Sequence, residues 1–255
     1  MTNSLFDLSN KVVLITGAAG GIGSALAHAF VESGAKLVLA DRGLVAVEGL
    51  IETMPEHQQD VLAVEIEVQF PEQCAAAVER AVQRFGRVDV LINSAGVNTR
   101  MRPEKYSEDV WDDIIDINLK GTFNMCQAVF EGMSAHGGKI INIGSILSLV
   151  SNAMTAPYSA SKGGVLQLTK SLACAWAENN IAVNAILPGW IDTKLSRQAR
   201  IDIPGHAERV VQTTPMQRWG TPEDLVGAAI FLSSAASNFV TGTSILVDGG
   251  VTAHV

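Results

Sequence analysis

Cysteine is scarce in this chain. Three cysteines, Cys74, Cys126 and Cys174, are dispersed through 255 residues. An odd, scattered set builds no disulfide framework and no C-x-x-C metal pair, so a reducing compartment is expected. The five histidines show neither H-E-x-x-H nor any other ligand spacing, and no protein-bound catalytic metal is expected. Basic residues are outnumbered by acidic ones, 18 to 26, for a net charge of −8. A nucleic-acid binder would carry a basic stripe, and none is present. Residues 12–31 and 140–161 lack Asp, Glu, Lys and Arg, but glycines interrupt the first run and Asn, Ser and Pro the second. A membrane span needs about 20 predominantly apolar residues, so no membrane segment is expected. Residues 1–10 have no basic n-region and no apolar h-region, so no signal peptide is expected and the location reads as cytoplasmic. Also missing are the G-x-S-x-G elbow of a serine hydrolase and any carboxylate pair beyond solvated helix faces such as Asp112-Asp113.

What the chain does have is apolar residues, at 47%, with 17% charged, ample for a sizeable core. There is no linker, repeat or low-complexity tract, and short turn signals are evenly spread, which favours one domain over residues 1–255. β-Branched apolar runs at 12–16, 36–40, 61–68, 88–93, 139–143, 181–187 and 243–247 alternate with helical-period segments at 22–33, 44–54, 72–85, 107–134, 155–178 and 222–232. Such alternation means βαβ units, and near-continuous apolar strands mean a parallel sheet covered on both faces. Residues 190–221 fit neither period and read as an irregular substrate loop or lid.

The first strand runs into Gly17-Ala-Ala-Gly-Gly21-Ile-Gly23, and a helical segment follows. Glycines at that junction permit a tight turn and close approach of a pyrophosphate to the helix N-terminus. The spacing is G-x-x-x-G-x-G rather than G-x-G-x-x-G, and a turn that only packs helix on strand is the competing reading. The second strand ends in Asp41-Arg42, with Asp41 placed 18 residues beyond Gly23. A ribose-binding acid is expected at about 20 residues. A carboxylate there accepts from ribose hydroxyls and repels a 2′-phosphate, which favours NAD over NADP. The Arg42 guanidinium argues the other way.

Tyr158-Ser-Ala-Ser-Lys162 opens a helical segment, and residues four apart share a helix face. An ammonium beside a phenol favours phenolate and would make Tyr158 an acid/base working near neutrality. The pair alone recurs by chance. Ser145 stands at the carboxyl end of the fifth strand, Asn93-Ser-Ala95-Gly96 at the end of the fourth, and Asn118 inside a helical segment where asparagine is a poor choice.

Thr16-Gly-x-x-x-Gly-Ile-Gly23, Asn93-x-Ala-Gly96, Asn118, Ser145, Tyr158-x-x-x-Lys162, Pro188-Gly189 and Val247-Asp-Gly-Gly250 follow in that order. The set resembles the short, single-domain branch of the short-chain dehydrogenase/reductases over essentially the whole chain. The resemblance implies an α/β fold, a Rossmann-type doubly wound parallel sheet of about seven strands with helices on both faces. It also implies a nicotinamide dinucleotide and a homotetramer. It makes Tyr158 the acid/base, has Lys162 lower the pKa of Tyr158 and bind the nicotinamide ribose, and has Ser145 orient the substrate oxygen. Asn118 would hold a water in a proton relay. Gly17, Gly21, Ile22 and Gly23 would line the pyrophosphate. Asn93, Ala95 and Gly96 would flank the adenosine ribose. Pro188, Gly189, Ile191 and Thr193 would hold the nicotinamide amide. Two positions depart from the family pattern. Ser94 replaces a frequent second Asn, and Glu67 replaces an Asp near the adenine, so that Val68 would serve there through its backbone.

Pocket residues are expected from the loops after the fourth, fifth and sixth strands, with Asn98, Arg100, Leu147 and Trp190 as candidate substrate contacts beside Ser145. A guanidinium there could grip a carboxylate or polyol, although solvated loop arginines are the simpler reading. The stretch from Arg100 to Asn118 resembles the sugar-acid branch that includes gluconate 5-dehydrogenase-like enzymes. The runner-up is an NADPH-dependent 3-oxoacyl-(acyl-carrier-protein) reductase. Against it stand Cys174, where that group often carries a basic residue, and the acidic net charge. A noncatalytic NAD-binding sensor is the reading of a different class.

Overall fold

In the first strand, Val13 and Ile15 pack into one hydrophobic layer and Val12 and Leu14 into the other. Alternate side chains point to opposite faces of a strand, so a run with no polar member needs cover on both sides. The computed structural model describes residues 5–254, with the backbone alone at Leu195, Gln198, Ala199 and Asp202. The strands are β1 Val12–Thr16, β2 Lys36–Asp41, β3 Val61–Glu65, β4 Val90–Asn93, β5 Gly138–Ile143, β6 Ile181–Pro188 and β7 Ser244–Val247. They pair in parallel in the order β3-β2-β1-β4-β5-β6-β7. The helices are α1 Gly21–Glu32, α2 Leu44–Glu52, α3 Pro71–Phe85, α4 Glu108–Ile115, α5 Gly121–Ser134, α6 Ala156–Trp176, α7 Lys194–Asp202, α8 His206–Thr213 and α9 Val226–Ser233. The layer on one face takes its helical members from α1, α2 and α9, and the layer on the other from α3, α5 and α6. This is the doubly wound α/β arrangement expected.

Strand order reverses between β1 and β4. The loops leaving their carboxyl ends therefore diverge and open a crevice, the usual ligand position in such sheets. Thr16 and Asn93 are register partners at that point. The buried Thr16 Oγ1 accepts from the backbone N–H groups of Ser94 and Ala95, both at 3.2 Å, and fixes the β4 loop against the glycine loop.

Two segments differ from the expectation. Residues 190–221 are not irregular throughout, since they contain α7 and α8. The helical segment 107–134 is interrupted by a π turn at Asp116–Lys120 between α4 and α5. Such turns insert one extra residue and concentrate at functional sites.

Candidate active site

The glycine loop is built for close approach. Gly17 has φ +63°, the left-handed region, and a Cβ there would lie 2.7 Å from the Ala95 Cα. No side chain caps the α1 N-terminus, and its first turn holds no acidic residue. That end of α1 thus offers backbone N–H groups and a positive dipole to an anion. Asp41, at the end of β2, accepts from Ala19 N at 3.0 Å and Gly43 N at 3.4 Å. Gly17, Gly20, Asp41, Arg42, Val68, Ala95 and Gly96 all line one cavity of about 190 Å³.

A second cavity, of about 100 Å³, is lined by Ile22, Asn98, Arg100, Ser145, Leu147, Tyr158, Pro188, Gly189, Trp190, Ile191 and Thr193, with Ile146 and Ser196. Most of the expected cofactor positions and all the expected substrate contacts thus fall on two adjoining cavities. Gly17 and Gly20 in one and Ile22 in the other bracket the α1 N-terminus. An elongated dinucleotide with its pyrophosphate at that terminus fits this pair of cavities, and a side chain at Gly17 would fill its cradle.

Hydrogen bonds fix the reactive groups from three elements. Tyr158 and Lys162 lie in the first turns of α6, with the Lys162 Nζ 5.8 Å from the Tyr158 ring centroid. Lys162 is only 5% exposed, and its Nζ donates to the Ile143 carbonyl at 2.7 Å. Ser145, the residue after β5 and Gly144, accepts at Oγ from Leu147 N at 3.1 Å, so its own hydroxyl hydrogen remains for another acceptor. Asn118, in the π turn, accepts at Oδ1 from Val97 N (2.8 Å) and donates through Nδ2 to the Val97 carbonyl (2.9 Å) and Ser161 Oγ (3.1 Å). Ser161 in turn donates to the Tyr158 carbonyl at 2.8 Å. A Cβ on Gly96 would sit 3.3 Å from Asn118 Oδ1 and 3.5 Å from Lys162 Nζ, so this glycine brings the β4 loop against both.

Burial raises the Tyr158 phenol above its ordinary value, opposed by a hydrogen bond with Ser145 and the charge of Arg100. Burial lowers Lys162 itself to about 8. At 5% exposure its ammonium is costly to keep charged.

Asn93, Gly21 and Gly23 lie off both cavities, in contrast to the sequence reading. The Asn93 side chain is buried beneath the loop and donates to Asn142 Oδ1 at 2.9 Å and Cys126 Sγ at 3.3 Å, away from the adenosine cavity. Val68 lines the adenosine cavity, and its carbonyl is taken by Asn124 Nδ2 at 2.9 Å and Cys74 Sγ at 3.4 Å. Gly21 packs at the glycine loop, where a Cβ would meet Thr193 Cγ2 at 3.0 Å, and Gly23 is hemmed by Gly17 and Ala18. Neither of these two glycines lines a cavity wall.

A short-chain dehydrogenase model, described as enoyl-(acyl carrier protein) reductase, matches residues 17–252. Among curated relatives, 2-dehydro-3-deoxy-D-gluconate 5-dehydrogenase of Dickeya dadantii (strain 3937) is 39% identical over 252 residues, 98% of each chain. The chain belongs to the short-chain dehydrogenase/reductase family. It is thus an NAD(P)-dependent oxidoreductase. A solved gluconate 5-dehydrogenase of Burkholderia cenocepacia J2315, in complex with NADP and tartrate, superposes with a TM-score of 0.93 at 38% identity and 98% coverage of both chains. A 3-oxoacyl-[acyl-carrier-protein] reductase of Thermotoga maritima is 36% identical, over 96% of this chain and 98% of its own.

Sequence reasoning missed two positioning serines of this dehydrogenase/reductase. Ser148 Oγ accepts from Ser145 N at 3.3 Å and donates to the Lys162 carbonyl at 2.7 Å, tying the β5 end to α6. Ser196 Oγ accepts from Thr193 N at 2.9 Å and donates to the Ile191 carbonyl at 2.6 Å, holding the start of α7 against the second cavity. The S-x-x-S spacing of Ser145 and Ser148 is a capping signature that could have revealed the first.

Proposed function

We propose that this chain interconverts a secondary alcohol and a ketone on a sugar acid, with NAD as the preferred cofactor. The observation that carries the reading is the convergence of Ser145, Tyr158, Asn98 and Arg100 on one cavity beside the α1 N-terminus. Arg100 supplies charge for a carboxylate, and the buried Asn98 Oδ1, which has no partner, supplies an acceptor for a hydroxyl. A bound nicotinamide dinucleotide supplies the hydride acceptor for oxidation and the donor for reduction. In oxidation, the Tyr158 phenolate takes the hydroxyl proton while the Ser145 hydroxyl donates a hydrogen bond to the same oxygen and orients it. In reduction, the Tyr158 phenol returns that proton to the forming alkoxide. Lys162 holds a positive charge beside the site, and Asn118 anchors the Val97 loop and, through Ser161, α6. Gly17, Ile22, Ala95, Gly96, Pro188, Gly189, Ile191 and Thr193 hold the cofactor, and residues 190–221 form the lid.

Reduced-nicotinamide absorbance with a panel of sugar acids, alditols and an acyl thioester tests this reading. Turnover of a sugar acid supports it, and turnover of the thioester alone overturns it in favour of an acyl-carrier-protein reductase. Cys174 is exposed where a carrier-docking base would be expected, which favours the sugar acid. A noncatalytic sensor has no need of the complete, hydrogen-bonded Asn118, Ser145, Tyr158 and Lys162 set. The active form in oxidation is phenolate and burial raises that phenol, so oxidation should accelerate from about pH 7 to about pH 10. Reduction, which needs the phenol, should stay level over the same range, because the raised phenol keeps its proton to about pH 10.

Asp41 supports the NAD preference, because its carboxylate lies at the adenosine cavity where a 2′-phosphate would be repelled. Asp41→Ser should lower kcat/KM for NAD and raise it for NADP, moving their ratio by about tenfold or more, roughly the 1.4 kcal/mol of one removed charge repulsion. An unchanged ratio would hand the selection to Arg42.

Lys162 makes a further test. Its proton is lost at about pH 8 in the fold but near 10.5 in the unfolded chain, so the unfolded state binds more protons between those values. Stability therefore rises with pH across that window and is flat below it on account of this group. Lys162→Met should abolish turnover and yet stabilise the fold at pH 7 by about 1–3 kcal/mol, as read by urea unfolding. A destabilised Met variant would mean that the bond to Ile143 outweighs the buried charge.

A cytoplasmic homotetramer is part of the proposal. Among the described residues no helix is long and apolar enough to cross a membrane. The edge strand β7 leaves Leu246 open, and nearby Phe239 is fully exposed, apolar surface suited to another copy. Light scattering on a sizing column reads the mass.

A further inference from the structure

Beyond the reactive groups, the lid carries a cluster that no step above uses. Trp190 lines the second cavity with Tyr158 and Ser145. Its ring meets the edge of His206, the first residue of α8, at 5.0 Å, and Trp219 at 6.0 Å, and the Arg200 guanidinium lies 3.8 Å from the Trp219 centroid. His206 is 5% exposed. Arg209 Nη2 lies 3.4 Å from His206 Nδ1. Since guanidinium only donates, Nδ1 must accept, and the ring proton belongs on Nε2. That Nε2–H is buried with no acceptor among the described residues, and so is Arg200 Nε.

Buried donors without acceptors are rare in folded proteins and call for an explanation. Charge points to the same place. Burial and the positive charges of Arg100, Arg209 and Arg200 all disfavour protonation of His206, and Arg100 acts on Tyr158 as well. The carboxylate of Asp192, 3.2 Å from Arg200 Nη2, is already shared with Arg197 at 2.9 Å. The lid behind Trp190 is therefore rich in donors and in positive charge, with Trp190 itself lining the substrate cavity.

We propose that His206 and Arg200 form an anion-selecting wall beside Trp190, so that a sugar acid binds with its carboxylate end toward the lid. This rests on the sugar-acid reading above. A carboxylate beside Trp190 offsets the surplus charge behind that ring, whereas an alditol hydroxymethyl does not. His206 and Arg200 are specificity residues here, remote from the reacting carbon.

The test pairs an aldonate with the alditol of the same configuration, gluconate and glucitol. Calorimetry on the complex with reduced cofactor, which oxidises neither, reads binding without turnover. The wild-type complex should bind gluconate at least about tenfold tighter than glucitol, the scale of one charge-assisted hydrogen bond. Equal binding overturns the wall, whatever the variants do. In turnover, Arg200→Gln and His206→Gln should each lower the gluconate-to-glucitol ratio of kcat/KM about tenfold, mainly through the KM for gluconate, and Arg200→Lys should recover part of it. An equal loss on both substrates would mean a merely structural lid and overturns the assignment. If gluconate binds preferentially, loses that preference in the Arg200→Gln and His206→Gln complexes and is never oxidised, the sugar-acid reading fails and the wall stands. If gluconate is oxidised without preferential binding, the wall fails and the reading stands.

Discussion

Tyr158→Phe is expected to lower turnover by about 10²–10⁴-fold, the usual worth of a positioned general acid/base. The phenol is one of two in the chain, and Tyr106 is committed elsewhere, its one hydroxyl hydrogen shared between the Thr99 and Met154 carbonyls at 2.7 and 3.0 Å. No second phenol can therefore substitute. The ring itself would remain, so the cavity shape and the neighbouring Lys162 stay in place. Affinity for reduced cofactor, read by its fluorescence, should change by no more than about twofold, and the melting temperature by about a degree or two. A Phe variant with wild-type rates would remove Tyr158 from the chemistry. A variant that also loses the cofactor would show that the residue is needed for assembly rather than proton transfer. The pH profile adds a check that folding cannot mimic, because the alkaline rise in oxidation should vanish with the hydroxyl.

Gly17→Val is the second large effect, and it should abolish cofactor binding. At φ +63° a β-branched residue is strained, and its Cβ would lie 2.7 Å from Ala95 Cα and 2.8 Å from Ala95 N. Both are backbone atoms that Thr16 Oγ1 holds in place through Ser94 N and Ala95 N. The loop can yield only by moving the β4 end, which closes the phosphate cradle. We expect at least a 100-fold loss of cofactor affinity, about 2.7 kcal/mol, and destabilisation of about 2–4 kcal/mol, roughly 5–10 °C for a chain of this size. Gly49→Ala in α2 is the control. Nothing lies within 4 Å of its added Cβ, so helix propensity alone should stabilise it by about 0.5–1 kcal/mol. Equal behaviour of the two substitutions would dismiss steric close approach as the reason for Gly17.

The alternation of strands and helices, the two-sided burial of the sheet and the order of its motifs were determined by the sequence itself. They are local patterns: period two or three-point-six, a glycine turn after an apolar run, a hydroxyl at a strand end. A parallel sheet then carries every strand-end residue to one edge, which is why Gly17, Gly96, Ser145 and Gly189 meet at adjoining cavities. Even the true orientation of Asn93 was within reach, since it shares a face with Leu91, whose side chain packs in the layer of α5. The π turn at Asp116–Lys120 left no trace in composition, because one inserted backbone residue changes no residue type. The helices α7 and α8 were hidden because His206 of α8 and Arg200 of α7 pack on Trp190 and Trp219, which lie outside both helices. The direction of the Tyr158 and Lys162 shifts was likewise decided by burial, which spacing cannot report. Spacing places two groups on one helix face, but only the packed surroundings set the dielectric in which their charges must exist.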